Sequence, residues 1–321
     1  MNNYTFLQKK LHKISLQNNL IKKSLFEIEK ILFLNKNNIN NNNHIFITGL
    51  PRSGTTILLN FFYQSNEYAS LTYKDMPFVL SPNILSKLVK NNKVDPKERI
   101  HKDGIKYDQD SPDTFDEVFF LTFTKNSYQE NYSKYISLIM KKYQKKKYLS
   151  KNNNNYKRIN FLMSMFPKSS ILIPFRDPLQ HANSLLAQHI HFSKQQKKDS
   201  FILDYMNYLG HFEFGLNHKP WFASVNFNDF SDLNYWIEQW YFFYSDLLQK
   251  YNSAKNVFFI SHENLCSNKD SKNILIQKFN LRNNINFEFM FSKKEIKKKY
   301  DSTLISKCEE IYNTMSNQSL F

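Results

Sequence analysis

The amino-acid sequence predicts a three-layer α/β fold in which a central parallel sheet is flanked by helices. Three observations carry the prediction. Short apolar runs at 44–48 (HIFIT), 170–175 (SILIPF) and 256–261 (NVFFIS) have the length and composition of strands buried on both faces. Helix-like segments at 55–64 and 179–189 follow the first two runs directly, and such alternation is the pattern of a parallel sheet. Finally, 321 residues with 41% hydrophobic and 22% charged side chains hold enough material for one large α/β domain or two ordinary ones.

Taken in order, residues 4–34 carry Leu7, Leu11, Ile14, Ile21, Leu25, Ile28 and Leu32 at three-, four- and seven-residue steps with lysines between, which predicts an amphipathic helix or helix pair. Residues 35–43 are almost pure Asn, a linker to a domain spanning 44–321. A weaker strand is predicted over 68–73. The tract 145–155, Lys then Asn, reads as a surface loop, and 293–299 is a third basic stretch. No run reaches the roughly 18 apolar residues that span a bilayer. The lysine-punctuated first thirty residues read as neither signal peptide nor anchor. Two cysteines, Cys266 and Cys308, are too few for a disulfide framework, so a cytoplasmic, reducing location is expected.

The formal net charge of +16 favours anionic partners, although AT-rich coding by itself would also fill a chain with Lys, Asn, Ile, Phe and Tyr. That bias makes the exceptions informative. Only five residues are Arg (Arg52, Arg99, Arg158, Arg176 and Arg282) and only five are Gly. Arg is kept where a planar fork must grip phosphate or carboxylate, and Gly where backbone approaches a ligand. One Arg and two Gly fall together in 49–54.

The first strand runs into Gly49-Leu-Pro-Arg52-Ser53-Gly54-Thr55-Thr56, with the Gly-x4-Gly spacing of a phosphate-binding loop but Thr55 where that loop has Lys. Backbone N–H groups at the opening of a helix bind an oxyanion; Ser53, Thr55 and Thr56 add hydroxyls, and Arg52 adds a charge-assisted pair. PRSGTT at a strand–helix junction resembles the 5′-phosphosulfate loop of sulfotransferases that use 3′-phosphoadenosine-5′-phosphosulfate (PAPS). The resemblance covers 44–310 in patches. It implies a fold like that of P-loop nucleotide hydrolases and a second anion site for the 3′-phosphate, formed by a strand-ending Arg and a Ser eight residues on. Arg176 ends the strand SILIPF, and Ser184 stands at that spacing in RDPLQHANS. VFFISHENLC resembles a further strand and turn of the family, with His262 where the relatives have Tyr.

The resemblance implies sulfonate transfer to a hydroxyl, less readily an amine, by in-line displacement with PAPS as co-substrate and no metal. Arg52 would stabilise the leaving oxygen, while Arg176 and Ser184 would fix the nucleotide. A general base is needed for the acceptor. Asp75, which lies beyond the first helix and next strand, is the first candidate; His101, with Asp103 beside it, is the second. Lys297, Lys298 and Lys299 read equally as a lid on the 3′-phosphate or as a solvated face. His181, His189 and His191 lack the spacing of a helical metal site.

Two other functions compete. A P-loop kinase or NTPase is disfavoured by Thr55 in place of Lys, and a specific nucleic-acid-binding protein by the absence of any recognised signature. The acceptor stays open among carbohydrate, lipid head group and small molecule, as does the oligomeric state, a homo-oligomer included.

Overall fold

The computed structural model describes residues 4–34, 43–85, 97–98, 106–223, 226–282, 285–291 and 293–321. Five parallel strands form the central sheet: β1 (Ile45–Ile47), β2 (Tyr68–Ala69), β3 (Lys147–Lys151), β4 (Ser170–Phe175) and β5 (Val257–Ser261), in the order β2-β3-β1-β4-β5. Side chains alternate across the strands, so each strand feeds two cores. Ile45, Ile47, Leu149, Leu172 and Ile260 pack with Leu58, Leu59, Phe61 and Phe62 on one face. Phe46, Tyr148, Ile171, Ile173 and Phe259 pack with Trp236, Trp240 and Phe243 on the other.

The helices form the outer layers. In chain order, α1 (Phe6–Gln17) and α2 (Asn19–Phe33) precede the sheet, and α3 (Thr55–Gln64) follows β1. Next come α4 (Glu117–Thr122), α5 (Lys125–Tyr143), α6 (Pro178–Lys198) and α7 (Ser200–Tyr208), then α8 (Leu233–Tyr251) and α9 (Ser302–Asn317). The aromatic run of α8 buries Trp236, Trp240 and Tyr244 completely, so this helix belongs to the core rather than to a pocket wall.

The predicted helix pair is observed and is docked on the remainder of the chain. Phe26 is fully buried against Phe119, Phe123 and Tyr135. The Glu29 carboxylate is buried as well and accepts hydrogen bonds from the Asn83 backbone and side chain at 2.6 and 2.7 Å and from the Ile84 N–H at 3.0 Å. It therefore caps the short helix Pro82–Leu85 and ties α2 to it.

One expectation is overturned. The tract expected to be a surface loop contains β3, which lies inside the sheet between β2 and β1. Its sequence, Lys-Tyr-Leu-Ser-Lys, has no apolar run for pattern reading to find. Tyr148 and Leu149 are buried on opposite faces, and the buried Ser150 hydroxyl is held by Asp116. The terminal lysines sit at the ends of the strand, where Lys147 pairs with Glu67 at 3.0 Å. The predicted strand over 68–73 is shorter than expected, because a 3₁₀ turn starts at Tyr73.

Strand order places the site. The chain moves from β1 outward to β2, returns through β3, then crosses β1 to reach β4. Connections therefore diverge beyond the carboxyl ends of β1 and β4, the crevice in which open α/β sheets bind ligands.

Candidate active site

Both loops singled out in the sequence lie at this crevice. In the first, Thr48 extends β1 by donating its N–H to Leu172 at 2.9 Å, and the chain then turns sharply. Arg52 has φ +72°, in the left-handed region that a non-glycine residue occupies only when its surroundings hold it there. Gly54 has φ +103°, and a Cβ at that position would lie 2.9 Å from Nδ1 of His262, so bulk and conformation both require glycine. As the N-cap of α3, Gly54 provides no capping side chain, which leaves the first-turn amides to an anionic partner. The Ser53 hydroxyl turns inward and donates to the Leu50 carbonyl at 2.8 Å, bracing the loop.

The second loop forms as its sequence suggests. Asp177 caps α6 by accepting the Gln180 N–H at 2.8 Å, and Pro178 fills the first helical position. Arg176 and Ser184 are both buried. The two loops meet where Nε of Arg52 donates to Oγ of Ser184 at 3.3 Å. His181 adds a second tie at 2.8 Å from the Pro51 carbonyl; burial pushes its pKa down to about 3, so the neutral ring donates through Nε2.

Positive charge is concentrated here. Burial lowers the Arg176 pKa; Glu263, 3.9 Å from Nε, opposes that shift, and the Arg52 guanidinium adds to it. His262 is pushed down to about 4, by burial first and then by Arg176 and Arg52, so it packs on Gly54 as a neutral ring. Two guanidinium groups that repel one another over a bare helix start favour a ligand with several negative charges.

Arg52, Thr55 and Thr56 also line a cavity of about 670 Å³. Its walls carry the rings of Tyr4, Tyr73, Tyr107, Phe115, Tyr205 and Phe214. Polar groups enter from Asp113, Lys151, Asn153, His211 and Glu213. Within it, Nδ1 of His211 lies 3.3 Å from Oε1 of Glu213. Burial by itself would lower the His211 pKa, but the neighbouring carboxylate outweighs burial and raises it. Glu213 is held down to about 2, since His211 outweighs the opposing effect of burial. Tyr73 donates to Asp113 at 2.5 Å on another wall.

Asp75, expected as the general base, does not line this cavity. Its side chain is fully buried in an ion pair with Lys142, and Oδ2 accepts the Tyr143 hydroxyl and the Thr72 N–H, each at 2.7 Å. In this structure that carboxylate holds α5 on the 3₁₀ turn. His101 lies outside the described residues. Sequence reasoning missed the His211-x-Glu213 pair, whose only signal was a His two residues from a carboxylate in a stretch containing Gly210 and Gly215. Lys297 pairs with Glu295 at 3.3 Å and Lys298 donates to the Ser231 carbonyl at 3.0 Å. The chain at Lys294 is tied to α6 by two 2.9 Å bonds with the Gln180 side chain. Among the described residues no group of three or more His, Cys, Asp and Glu is arranged to hold a metal ion.

A parallel α/β sheet with two arginine-bearing loops converging at its switch point, beside an aromatic cavity, defines an α/β protein with its candidate site at the carboxyl ends of the strands. The chain belongs to the sulfotransferase family: the model described as "Sulfotransferase family" matches residues 44–272, more than half of the sequence, and the protein is a sulfotransferase enzyme. The fold is similar to the crystal structure of sulfotransferase STF1 from Mycobacterium tuberculosis H37Rv, with a TM-score of 0.51 and 11% identity over 98% of this chain and 87% of that one. Sulfotransferase STF9 from Mycobacterium avium gives a TM-score of 0.46 and 10% identity over 96% of this chain and 78% of that one. No curated protein sequence matches the chain. The helix pair α1–α2 lies outside the family match.

Proposed function

We propose that the enzyme transfers the sulfonate group of PAPS to a hydroxyl acceptor seated in the aromatic cavity. The observation that carries this reading is the contact of Arg52 with Ser184, which joins the two anion-binding loops at one crevice. In this reading the amides of residues 52–56 and the Arg52 guanidinium receive the 5′-phosphosulfate, Thr55 and Thr56 add hydroxyl donors, and Ser53 acts through the backbone. Arg176 and Ser184 receive the 3′-phosphate. The acceptor oxygen attacks sulfur in line as the bond from sulfur to the bridging phosphate oxygen breaks. That oxygen keeps the electron pair, and adenosine 3′,5′-bisphosphate leaves.

The acceptor proton goes to His211. Its Nδ1 is engaged by Glu213, which leaves Nε2 as the accepting nitrogen. Glu213 acts as a positioning residue that fixes the tautomer and stabilises the imidazolium formed. Positive charge from Arg52, Arg176 and the start of α3 balances the developing negative charge, so the step needs no metal ion. A carbohydrate, a lipid head group or a small alcohol is the acceptor class, and the ring-lined walls favour one with an apolar face. Cys266 and Cys308 are free thiols, which suits the cytoplasm.

The experiment is a transfer screen with ³⁵S-labelled PAPS across acceptor classes, paired with thermal unfolding. Adenosine 3′,5′-bisphosphate is expected to raise Tm while ATP with Mg²⁺ leaves it unchanged. Equal stabilisation by both would remove the basis for a PAPS donor.

A further inference from the structure

The helix pair α1–α2 presents apolar side chains to solvent on a scale that single exposed residues do not reach. Phe6 is 79% exposed, Leu7 75%, Leu20 76%, Ile31 80% and Leu32 62%. They are not scattered. At about 100° per residue, Leu20, Ile28, Ile31 and Leu32 fall within roughly 120° of the α2 circumference, and Leu7, Leu11 and Ile14 within roughly 60° of α1. On the opposite side of α2, Lys22, Phe26 and Glu29 enter the core. The buried face of α1 carries His12, Ser15 and Leu16 and that of α2 Lys22, Phe26 and Glu29, so much of the apolar surface of both helices faces outward.

Lysines border these stripes. Lys10, Lys13 and Lys23 are exposed, and Glu27, already paired with Lys30 at 2.8 Å, is the single exposed carboxylate on the two helices. Beside α1 an open groove of about 840 Å³ runs between Phe6, Ile14 and Phe201, edged by Lys9, Lys10 and Lys13 and by the exposed Asp204, with Lys9 3.6 Å from Asp199. No described helix is long and apolar enough to cross a membrane. Apolar stripes with a basic border on short helices are the physical signature of segments that lie in the lipid interface.

We propose that α1–α2 forms a docking surface for an anionic phospholipid membrane, with Leu20, Ile28, Ile31 and Leu32 entering the acyl boundary and Lys10, Lys13 and Lys23 facing the head groups. Charge decides between this occupant and a second copy of the chain. A two-fold contact through the same face sets one lysine-bordered surface against another, with Lys10, Lys13 and Lys23 outnumbering the exposed Glu27 and Asp204, whereas a phosphatidylserine surface supplies the missing negative charge. The net charge of +16 adds long-range attraction of the same sign. The proposal is independent of the donor and acceptor assignments.

The test uses the full chain, sedimented with vesicles of phosphatidylcholine alone or with about one third phosphatidylserine, compositions that differ in surface potential. Binding to the anionic vesicles only, abolished by about 1 M salt, is expected. Lys10→Gln/Lys13→Gln/Lys23→Gln should weaken partitioning about a hundredfold, since each lysine near such a surface contributes a factor of about five. Leu20→Ser/Ile31→Ser/Leu32→Ser should weaken it at least about tenfold through lost apolar contact, with Tm unchanged because these side chains are exposed. Absence of vesicle binding by the unmodified chain overturns the proposal, as does binding that the serine substitutions leave intact. A concentration-dependent dimer in light scattering that the serine substitutions dissolve overturns it in favour of a second copy.

Discussion

Arg52 and Ser184 stand 132 positions apart in the chain and 3.3 Å apart in the fold, Nε donating to Oγ. One sits in the loop after β1 and the other in the second turn of α6, and the crossover from β3 to β4 brings them to the same crevice. The contact orients the guanidinium of a residue whose own backbone is held at φ +72°. Ser184→Ala should weaken binding of adenosine 3′,5′-bisphosphate up to about tenfold, the value of one hydrogen bond. Arg52→Lys, which keeps charge but loses the fork, should lower kcat about a hundredfold. Titration calorimetry and initial rates separate the two effects, and wild-type turnover in Arg52→Lys would show that the fork plays no part in the transition state.

Gly54→Ala should abolish turnover and nucleotide binding together. The new methyl meets His262 at 2.9 Å in a conformation that L residues rarely adopt. Adding His262→Ala relieves the contact but not the φ of +103°, so only part of the binding should return. Full recovery would mean that crowding alone demands glycine here.

With His211 as the proposed base, a pH dependence follows. A base must be neutral to accept the proton, so kcat/KM should rise with pH through the His211 pKa. The neighbouring carboxylate, outweighing burial, places that value above the ordinary 6.5. Glu213→Gln removes the cause and should move the acid limb to lower pH, while also lowering kcat through loss of orientation. A limb that stays in place in Glu213→Gln assigns the titration to another group.

Asp75→Asn should act on stability instead of chemistry. It takes the Asp75 ion pair from the half-buried Lys142 and disturbs the Tyr143 hydroxyl, a change that costs up to about 3–5 kcal/mol, the range for a fully buried pair. Urea denaturation should show that loss, with kcat of the folded fraction within about threefold of wild type, an ordinary spread for a residue outside the reacting centre. A kcat collapse at unchanged stability would return Asp75 to the role of base.

Tyr4 tests whether the N-terminal helices shape the acceptor pocket. It lines the cavity and packs against Phe201 and Tyr205 at ring distances of 5.7 and 6.2 Å, while Lys9 lies 3.6 Å from Asp199. Tyr4→Ala should raise the acceptor KM severalfold, as lost contact with one ring of a binding pocket does, and leave the nucleotide Kd unchanged. Equal effects on both ligands would place Tyr4 outside the acceptor wall.

Elements whose chemistry is local could be read from their own residues. The strands at 45–47, 170–175 and 257–261, the helix Thr55–Gln64 and both loop motifs were legible because apolar runs, capping residues and rare Arg and Gly mark them within a few positions. Features that depend on distant neighbours emerged with the packing. Lys147–Lys151 became a strand because β1 and β2 pair with it from both sides, not because its own residues ask for it. The Asp75 carboxylate went to Lys142, and His211 met Glu213 on the wall of a cavity assembled from segments far apart in the chain. A carboxylate or imidazole looks the same in sequence whether it is buried in an ion pair or lines a pocket, and desolvation by surrounding atoms is what tells the two apart.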